Sequence, residues 1–166
     1  MTFYQIWGFI TKNGCFERKI TKAAFEDLPE ILQLQKLAFK SEAELWGNCP
    51  IKPMQQTLPE LEEEFAKSVV FKLLDEQNDK IIGSIRTREE NGRIYVAKLI
   101  VHPDYQNRGL GTLLLKAIDE FYKGKSFELC TSCRSEKNLH VYGKNGYREF
   151  KREKVSEEFE FVFLEK

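Results

Sequence analysis

What is missing narrows this chain first. Its 166 residues carry 26 Lys+Arg against 26 Asp+Glu, so neither sign of charge is in surplus. A general nucleic-acid binder needs a surplus of Lys and Arg to neutralise phosphates, and that class is set aside. A small, locally basic or amide-lined pocket is not. No apolar run approaches the roughly 20 residues that a bilayer-spanning helix requires. The short cluster Ile6-Trp7-Gly8-Phe9-Ile10 has no basic leader before it and no small-residue cleavage site after it, so it does not read as a signal peptide. There is no internal repeat, no low-complexity tract and no linker rich in Gly, Pro or Ser. An apolar fraction of 42%, with 13% aromatics, excludes a disordered chain and is enough for one substantial core. The expectation is a cytoplasmic protein of one domain.

Cysteine is scarce too, with Cys15, Cys49, Cys130 and Cys133 only. A chain of this length builds its own core without covalent staples, so these residues fit a reducing compartment. Cys130 and Cys133 form one CxxC. A zinc site would need further ligands at recognisable spacing, and there is no second CxxC and no HxxxH. A redox CxxC normally opens a helix, whereas this one ends the strand-like run Phe127 to Cys133. The pair reads as two ordinary thiols, buried or half-buried.

What is present is an alternation of strand and helix patterns. Phe16 to Thr21 reads as a strand. Asp27-Leu28-Pro29-Glu30 opens a helix, with Asp27 as the cap and Glu30 at the capping-box position, and Leu28, Ile31, Leu34 and Ala38 share one face. Thr57-Leu58-Pro59-Glu60 repeats the signal, with Leu58, Leu61 and Phe65 on the buried stripe. Three strands come next, Val69 to Leu74, Lys80 to Arg88 and Arg93 to His102, separated by the turns Glu76 to Asp79 and Glu90 to Gly92. A helix from Gly109 to about Tyr122 carries Leu110, Leu113, Leu114, Ala117, Ile118 and Phe121 at helical spacing. After it come a strand from Ser126 to Cys133, a short helix near Glu136 to Lys144, and strands around Tyr147 to Val155 and Phe159 to Leu164. Antiparallel strands that pass through a helix into a further strand make an α/β (α+β) plan in three layers.

The most informative stretch runs from Leu99 to Leu114 and joins an apolar strand to an amphipathic helix. Gly109 and Gly111 fall in the first helical turn, where unpaired backbone N–H groups and the positive end of the helix dipole point outward. Glycine there lets an anion approach the backbone, which suits a pyrophosphate. A P-loop would need GxxxxGK[ST], which is absent. A dinucleotide fingerprint would need a third glycine where Leu114 stands, although Glu128 occupies the acidic position further on.

Gln106-Asn107-Arg108-Gly109-Leu110-Gly111 resembles the Q/R-x-x-G-x-G/A motif of the GNAT superfamily of acyl-CoA-dependent N-acetyltransferases. Downstream, Asn138 to Tyr147 resembles that family's N-x-x-x-Y-x-K-x-G-[FY] segment. The resemblance covers Phe16 to the C-terminus, so a catalytic domain is expected over 16–166, with 1–15 an extension of unassigned role. It implies a mixed central sheet, flanked by helices, in which two parallel strands splay apart around the pantetheine arm of acetyl-CoA, the acetyl donor. It also implies that Leu99, Ile100 and Val101 offer backbone contacts to that arm. Gln106, Asn107, Arg108, Gly109, Leu110, Gly111 and Thr112 would form the pyrophosphate cradle. Asn138 would contact the cofactor, and Tyr142 would contact it and act as general acid.

A phenol of pKa ~10 is protonated at neutral pH and can donate to a departing thiolate, whose conjugate acid lies near ~8.5. Some relatives carry a glutamate on the central strand as general base, and here that position is Tyr95. Glu42 and Glu44, beside Trp46, are the candidates for binding a cationic acceptor or relaying its proton. His102 and His140 are weaker candidates for a base. The resemblance implies direct attack by a small-molecule or peptide amine, without a cysteine acyl-enzyme. Neither nucleic acid, membrane nor metal is expected as a partner, and a homodimer is entertained as the assembly. A non-catalytic acyl-CoA-binding module of the same fold is the alternative.

Overall fold

The computed structural model describes residues 18–45, 47, 51–75 and 77–166. The 1–15 extension, the first residues of the expected first strand and Trp46 lie outside the described residues. The strands are β1 (Arg18–Lys22), β2 (Val69–Asp75), β3 (Lys80–Glu90), β4 (Arg93–Val101), β5 (Ser126–Ser132), β6 (Arg148–Ser156) and β7 (Phe159–Glu165). They form one sheet in the order β1-β2-β3-β4-β5-β7-β6. Every neighbouring pair is antiparallel except β4 and β5. The longer helices are α1 (Leu28–Ala38), α4 (Leu58–Phe65), α5 (Leu110–Phe121) and α6 (Glu136–Lys144). Two short ones, α2 (Lys40–Leu45) and α3 (Lys52–Gln55), lie in a region whose pattern carried no helical signal.

The apolar stripes sort the helices onto two faces. Leu110, Leu114, Leu115 and Ile118 of α5 pack with Ile82, Ile85, Ile94, Val96, Phe127 and Leu129, and Tyr142 of α6 joins the same cluster. On the other face Ile31 and Leu34 of α1 pack with Val70, Ile81 and Ile100, while Leu28, Leu32 and Leu61 join α1 to α4. Burial of such side chains, about 1.5–3 kcal/mol each, is what holds the three layers together.

Two of the expected helix-start signals are used differently. Asp27 makes no side-chain cap for α1. Its carboxylate accepts from the Ala24 amide at 2.7 Å and pairs with Lys72 at 2.7 Å. Glu30 reaches across to accept from the Ile81 amide at 2.8 Å. For Glu30 a strand amide replaces the local one, whereas Asp27 keeps a local amide, that of Ala24 before it, and adds the strand partner Lys72. At α4 the local reading holds, because Glu60 accepts from the Thr57 amide at 2.7 Å.

β4 carries one irregularity. Ser84 pairs with Ile100 but Arg86 with Ala97, so Lys98 and Leu99 together oppose Ile85. This is a β-bulge, and Lys98 adopts φ 51° within it. The extra residue reverses the facing of the strand. Ile94 and Val96 face α5, then Leu99 and Val101 do, while Ile100 turns toward α1. β4 pairs with β5 only from Arg93↔Ser126 to Val96↔Leu129. Beyond Val96, β4 stays with β3 and β5 stays with β7, so the two parallel strands part.

His102 closes β4 with its amide on the Ile82 carbonyl at 2.8 Å. Its Nδ1 accepts from the Asp104 amide at 3.2 Å, and Lys80 Nζ lies 3.3 Å from Nε2. Burial, followed by the Lys80 charge, holds the ring below the ordinary histidine range despite Asp104. An unfolded chain therefore binds this proton more readily than the native one. The contribution is fully present above about pH 6.5 and is lost as pH falls from there through the native value. In urea titrations, His102→Gln is expected to flatten the acid-side decline in stability between about pH 6.5 and 5; an unchanged slope would exclude His102 as its source.

Candidate active site

The parted strands open into a cleft of about 260 Å³ that is bordered by β4, the start of α5, α6 and α2. Gly109 precedes α5 with φ 75° and no side chain caps the helix. The first intrahelical bond at this end runs from the Leu113 amide to the Gly109 carbonyl at 3.0 Å. The amides of Leu110, Gly111 and Thr112 therefore have no helical acceptor, and the dipole adds about 0.3–1 kcal/mol in favour of an anion placed there. A Cβ on Gly111 would sit 3.8 Å from Val141 Cγ1 and 3.9 Å from Leu99 Cδ2. This glycine thus keeps open the space between β4 and α6. Asn107, with φ 60°, turns the chain into the helix.

Of the residues singled out in the sequence, Leu99, Ile100, Val101, Gln106, Asn107, Gly109, Leu110, Gly111, Thr112, Asn138 and Tyr142 all line this cleft. Arg108 is exposed, lies 5.4 Å from the Tyr105 ring centroid, and is not among the lining residues. Lys137 borders the cleft instead and donates to Gln106 Oε1 at 2.9 Å. Gln106 in turn donates to the Val101 carbonyl at 3.1 Å, tying the end of β4 to α6. No motif spelling pointed to Lys137, although its place one residue before Asn138 was available.

Tyr142 is 8% exposed and packs edge-on against Tyr147 at 5.9 Å. Its hydroxyl has no hydrogen-bond partner among the described residues. Burial, then the nearby Cys130 and Glu42 charges, pushes its phenol well above the ordinary tyrosine range. The group therefore stays protonated at neutral pH, with its hydroxyl proton available to donate.

Glu42 on α2 also lines the cleft. It accepts from Ser135 Oγ in a short hydrogen bond and from Asn138 Nδ2 at 3.3 Å, and Arg134 donates to the Leu45 carbonyl at 3.3 Å. These bonds clamp α2 over the turn between β5 and α6 and leave the carboxylate beside Tyr142. Glu44, two residues on, is exposed and is not a lining residue. His140 borders the cleft, whereas His102 does not. Tyr95 is half-buried under the Arg88 guanidinium at 5.8 Å. Cys130 is exposed and Cys133 half-buried, with both thiols free, so Cys130 lies nearer solvent than its place in the sequence suggests. Among the described residues no group of three or more His, Cys, Asp and Glu could hold a metal ion, and no helix is long and apolar enough to cross a membrane.

A narrow slot between parted strands, ending on unpaired amides and a basic side chain, fits a thioester on a long arm with a pyrophosphate behind it. Acetyl-CoA has that chemistry, and nothing in the lining opposes it. Comparison with known proteins agrees. A profile of the acetyltransferase (GNAT) domain matches residues 42–166. The UPF0157 protein YqkA of Bacillus subtilis (strain 168) is 25% identical over 120 residues, which are 72% of this chain and 34% of that protein. The chain thus spans about a third of the length of this curated relative. Among solved structures, the ribosomal-protein-S18-alanine N-acetyltransferase of Escherichia coli superposes with TM-score 0.69 at 19% identity, over 89% of this chain and 92% of that one. The PaiA N-acetyltransferase of Thermoplasma acidophilum, in complex with coenzyme A, gives 0.71 at 17% identity over 88% and 97%. At these identities the structural likeness is one of fold.

Proposed function

The chain belongs to the GNAT acetyltransferase family, and we propose that it transfers an acetyl group from acetyl-CoA to a primary amine of a small-molecule or peptide acceptor by direct attack. The observation that carries this reading is the convergence of three features on one cleft: the β4–β5 gap, the uncapped start of α5 and the Tyr142 hydroxyl. When bound, acetyl-CoA supplies an acyl carbon activated as a thioester.

The chain's own groups then act on the proton and the charge. The amides of Leu110, Gly111 and Thr112, with Lys137, hold the anionic end. Glu42, fixed by Ser135 and Asn138, attracts the acceptor ammonium and relays its proton to water. Neutralising an ammonium of pKa ~10 at pH 7 costs about 4 kcal/mol, which a carboxylate relay does not remove but makes reachable within the site. Tyr142 gives its hydroxyl proton toward the departing sulfur and regains one from solvent. No cysteine is needed in this sequence of events, and Cys130 remains a bystander. The free thiols fit a cytoplasmic setting.

The test is release of CoA thiol by the purified protein with a panel of primary amines, alongside calorimetry of acetyl-CoA. Turnover with at least one amine is the expected outcome. Tyr95, where some relatives carry a glutamate, favours the second reading, a non-catalytic acyl-CoA-binding module. That reading predicts acetyl-CoA binding with no thiol release from any amine.

A further inference from the structure

A second cleft, of about 620 Å³, opens on the sheet face that carries α1 and α4. Its walls come from α3, α4, β3 and the β4 bulge, and its charges are unevenly matched. Glu64 is engaged by the buried Arg86 in a short ion pair, whereas Glu60, which accepts from the Thr57 amide, keeps its negative charge. Arg88 pairs with Glu90 at 2.9 Å and lies over Tyr95. That leaves Lys52, Lys67 and Lys98 around the cleft against Glu60 and Glu63, and none of these lysines has an ion-pair partner among the described residues. In a chain of zero net charge this is a local cationic surplus.

The cleft is built rather than incidental. Gln35 of α1, fully buried, donates to the Pro53 carbonyl at 2.8 Å and to Gln56 Oε1 at 2.9 Å. It also accepts from Arg86 Nη2 at 3.3 Å. Arg86 is 5% exposed, and its Nε has no hydrogen-bond partner among the described residues. This network fixes α3 and α4 against the sheet.

Lys98 is the residue that connects this cleft to the reaction. It stands on the bulge with φ 51°, a conformation that costs a non-glycine residue about 1–2 kcal/mol. It comes two residues after Val96, the last β4 residue paired with β5, and so at the mouth of the parted strands. Its ammonium is half-buried and is disfavoured first by that burial and further by Arg86 and Lys52, against the pull of Glu64. A half-buried cation with no partner at such a place is stabilised by an anion brought to it.

We propose that this second cleft binds an anionic group of the acceptor, a carboxylate or a phosphate, with Lys98 as its main counter-charge. The inference rests on the acetyl-transfer reading above and narrows its acceptor to amines that also carry a negative group. Lys98 lines the second cleft and its chain neighbour Leu99 lines the first, where Glu42 stands, so Glu42 and Lys98 then attract opposite ends of the same molecule.

The experiment compares CoA release with acceptors matched in their amine: butylamine, 4-aminobutyrate and an aminoalkyl phosphate. It uses the wild-type protein, Lys98→Met, Lys98→Arg and the rim variant Lys52→Gln. The expected result is a kcat/KM at least ten-fold higher for an anionic acceptor than for butylamine. Lys98→Met should abolish that advantage through KM, Lys98→Arg should keep most of it, and acetyl-CoA affinity should not change. The carboxylate and phosphate arms tell which anion is preferred. Equal or better turnover of butylamine by the wild type overturns the proposal and leaves acetyl transfer standing. If no amine of any kind releases CoA while acetyl-CoA binds, the acetyl-transfer reading fails. Thermal-shift titration with inorganic phosphate and with succinate then decides the cleft: stabilisation lost in Lys98→Met supports it, and no stabilisation overturns it. Should Lys98→Met fail to fold, Lys52→Gln must still lower the anionic advantage, and a preference unchanged in it counts against the cleft.

Discussion

Tyr142→Phe is expected to lower kcat about 100-fold or more, the range that a positioned general acid contributes. The change removes one oxygen from a buried ring whose packing against Tyr147 is otherwise untouched. Because that oxygen has no hydrogen-bond partner among the described residues, its loss leaves no other group unsatisfied. Stability and acetyl-CoA affinity should stay close to wild type, which separates this variant from a folding defect. The pH dependence carries a second signature. Burial raises the phenol's pKa, so the protonated, competent form persists to higher pH than for an ordinary tyrosine. The kcat profile of the wild type should therefore show no alkaline fall from this group below about pH 10. Steady-state kinetics against pH, with calorimetry of acetyl-CoA, measures both. Unchanged turnover in Tyr142→Phe would remove the residue from the chemistry.

The second large effect concerns the cradle at the start of α5. Gly111→Leu is expected to weaken acetyl-CoA binding more than about 100-fold, equivalent to about 2.7 kcal/mol. A Cβ at this position already touches Val141 and Leu99 at ordinary contact distance, so the remaining atoms of leucine must enter the cleft between β4 and α6. Gly111→Ala meets nothing closer than 3.8 Å and should fold normally with a smaller loss. At Gly109 the constraint is different. The space around its Cα is open, and φ 75° is what a side chain would penalise. Gly109→Val should cost stability as well as affinity, because a β-branched residue resists that φ and swings the Leu110 amide with it. Calorimetric titration combined with melting temperatures distinguishes the two. Normal acetyl-CoA binding by Gly111→Leu would show that the anion lies elsewhere.

Several features of the site are legible in the sequence because their signals are local. Apolar spacing at Leu110, Leu114, Ala117 and Ile118 marks the face of α5, and the Gln106 to Gly111 spelling marks its start. The Asn138 to Tyr147 segment marks α6 and the tyrosine that it buries. The polar starts of α1 are less legible. Asp27 and Glu30 have the right types for capping α1, yet Asp27 serves the preceding Ala24 amide and Lys72, and Glu30 the distant Ile81 amide. Glu42 and Glu44 look equivalent as a pair. Only the contact of α2 with Ser135 and Asn138 turns Glu42 toward Tyr142 while Glu44 remains exposed. Arg108 and Lys137 are the reverse case, since spelling favours the arginine and packing brings the lysine to the cleft.

The sequence by itself determined the class of fold and the family, and it named most of the residues that line the first cleft, because hydrophobic period and residue chemistry act over a few positions. The parting of β4 from β5, the bulge that holds Lys98, and the uneven charges of the second cleft were decided only in the tertiary structure. Register is a long-range property: one extra residue opposite Ile85 turns the rest of β4 over. No local pattern in Ala97-Lys98-Leu99-Ile100 announces which side chain will be left facing α3 and α4 without a partner.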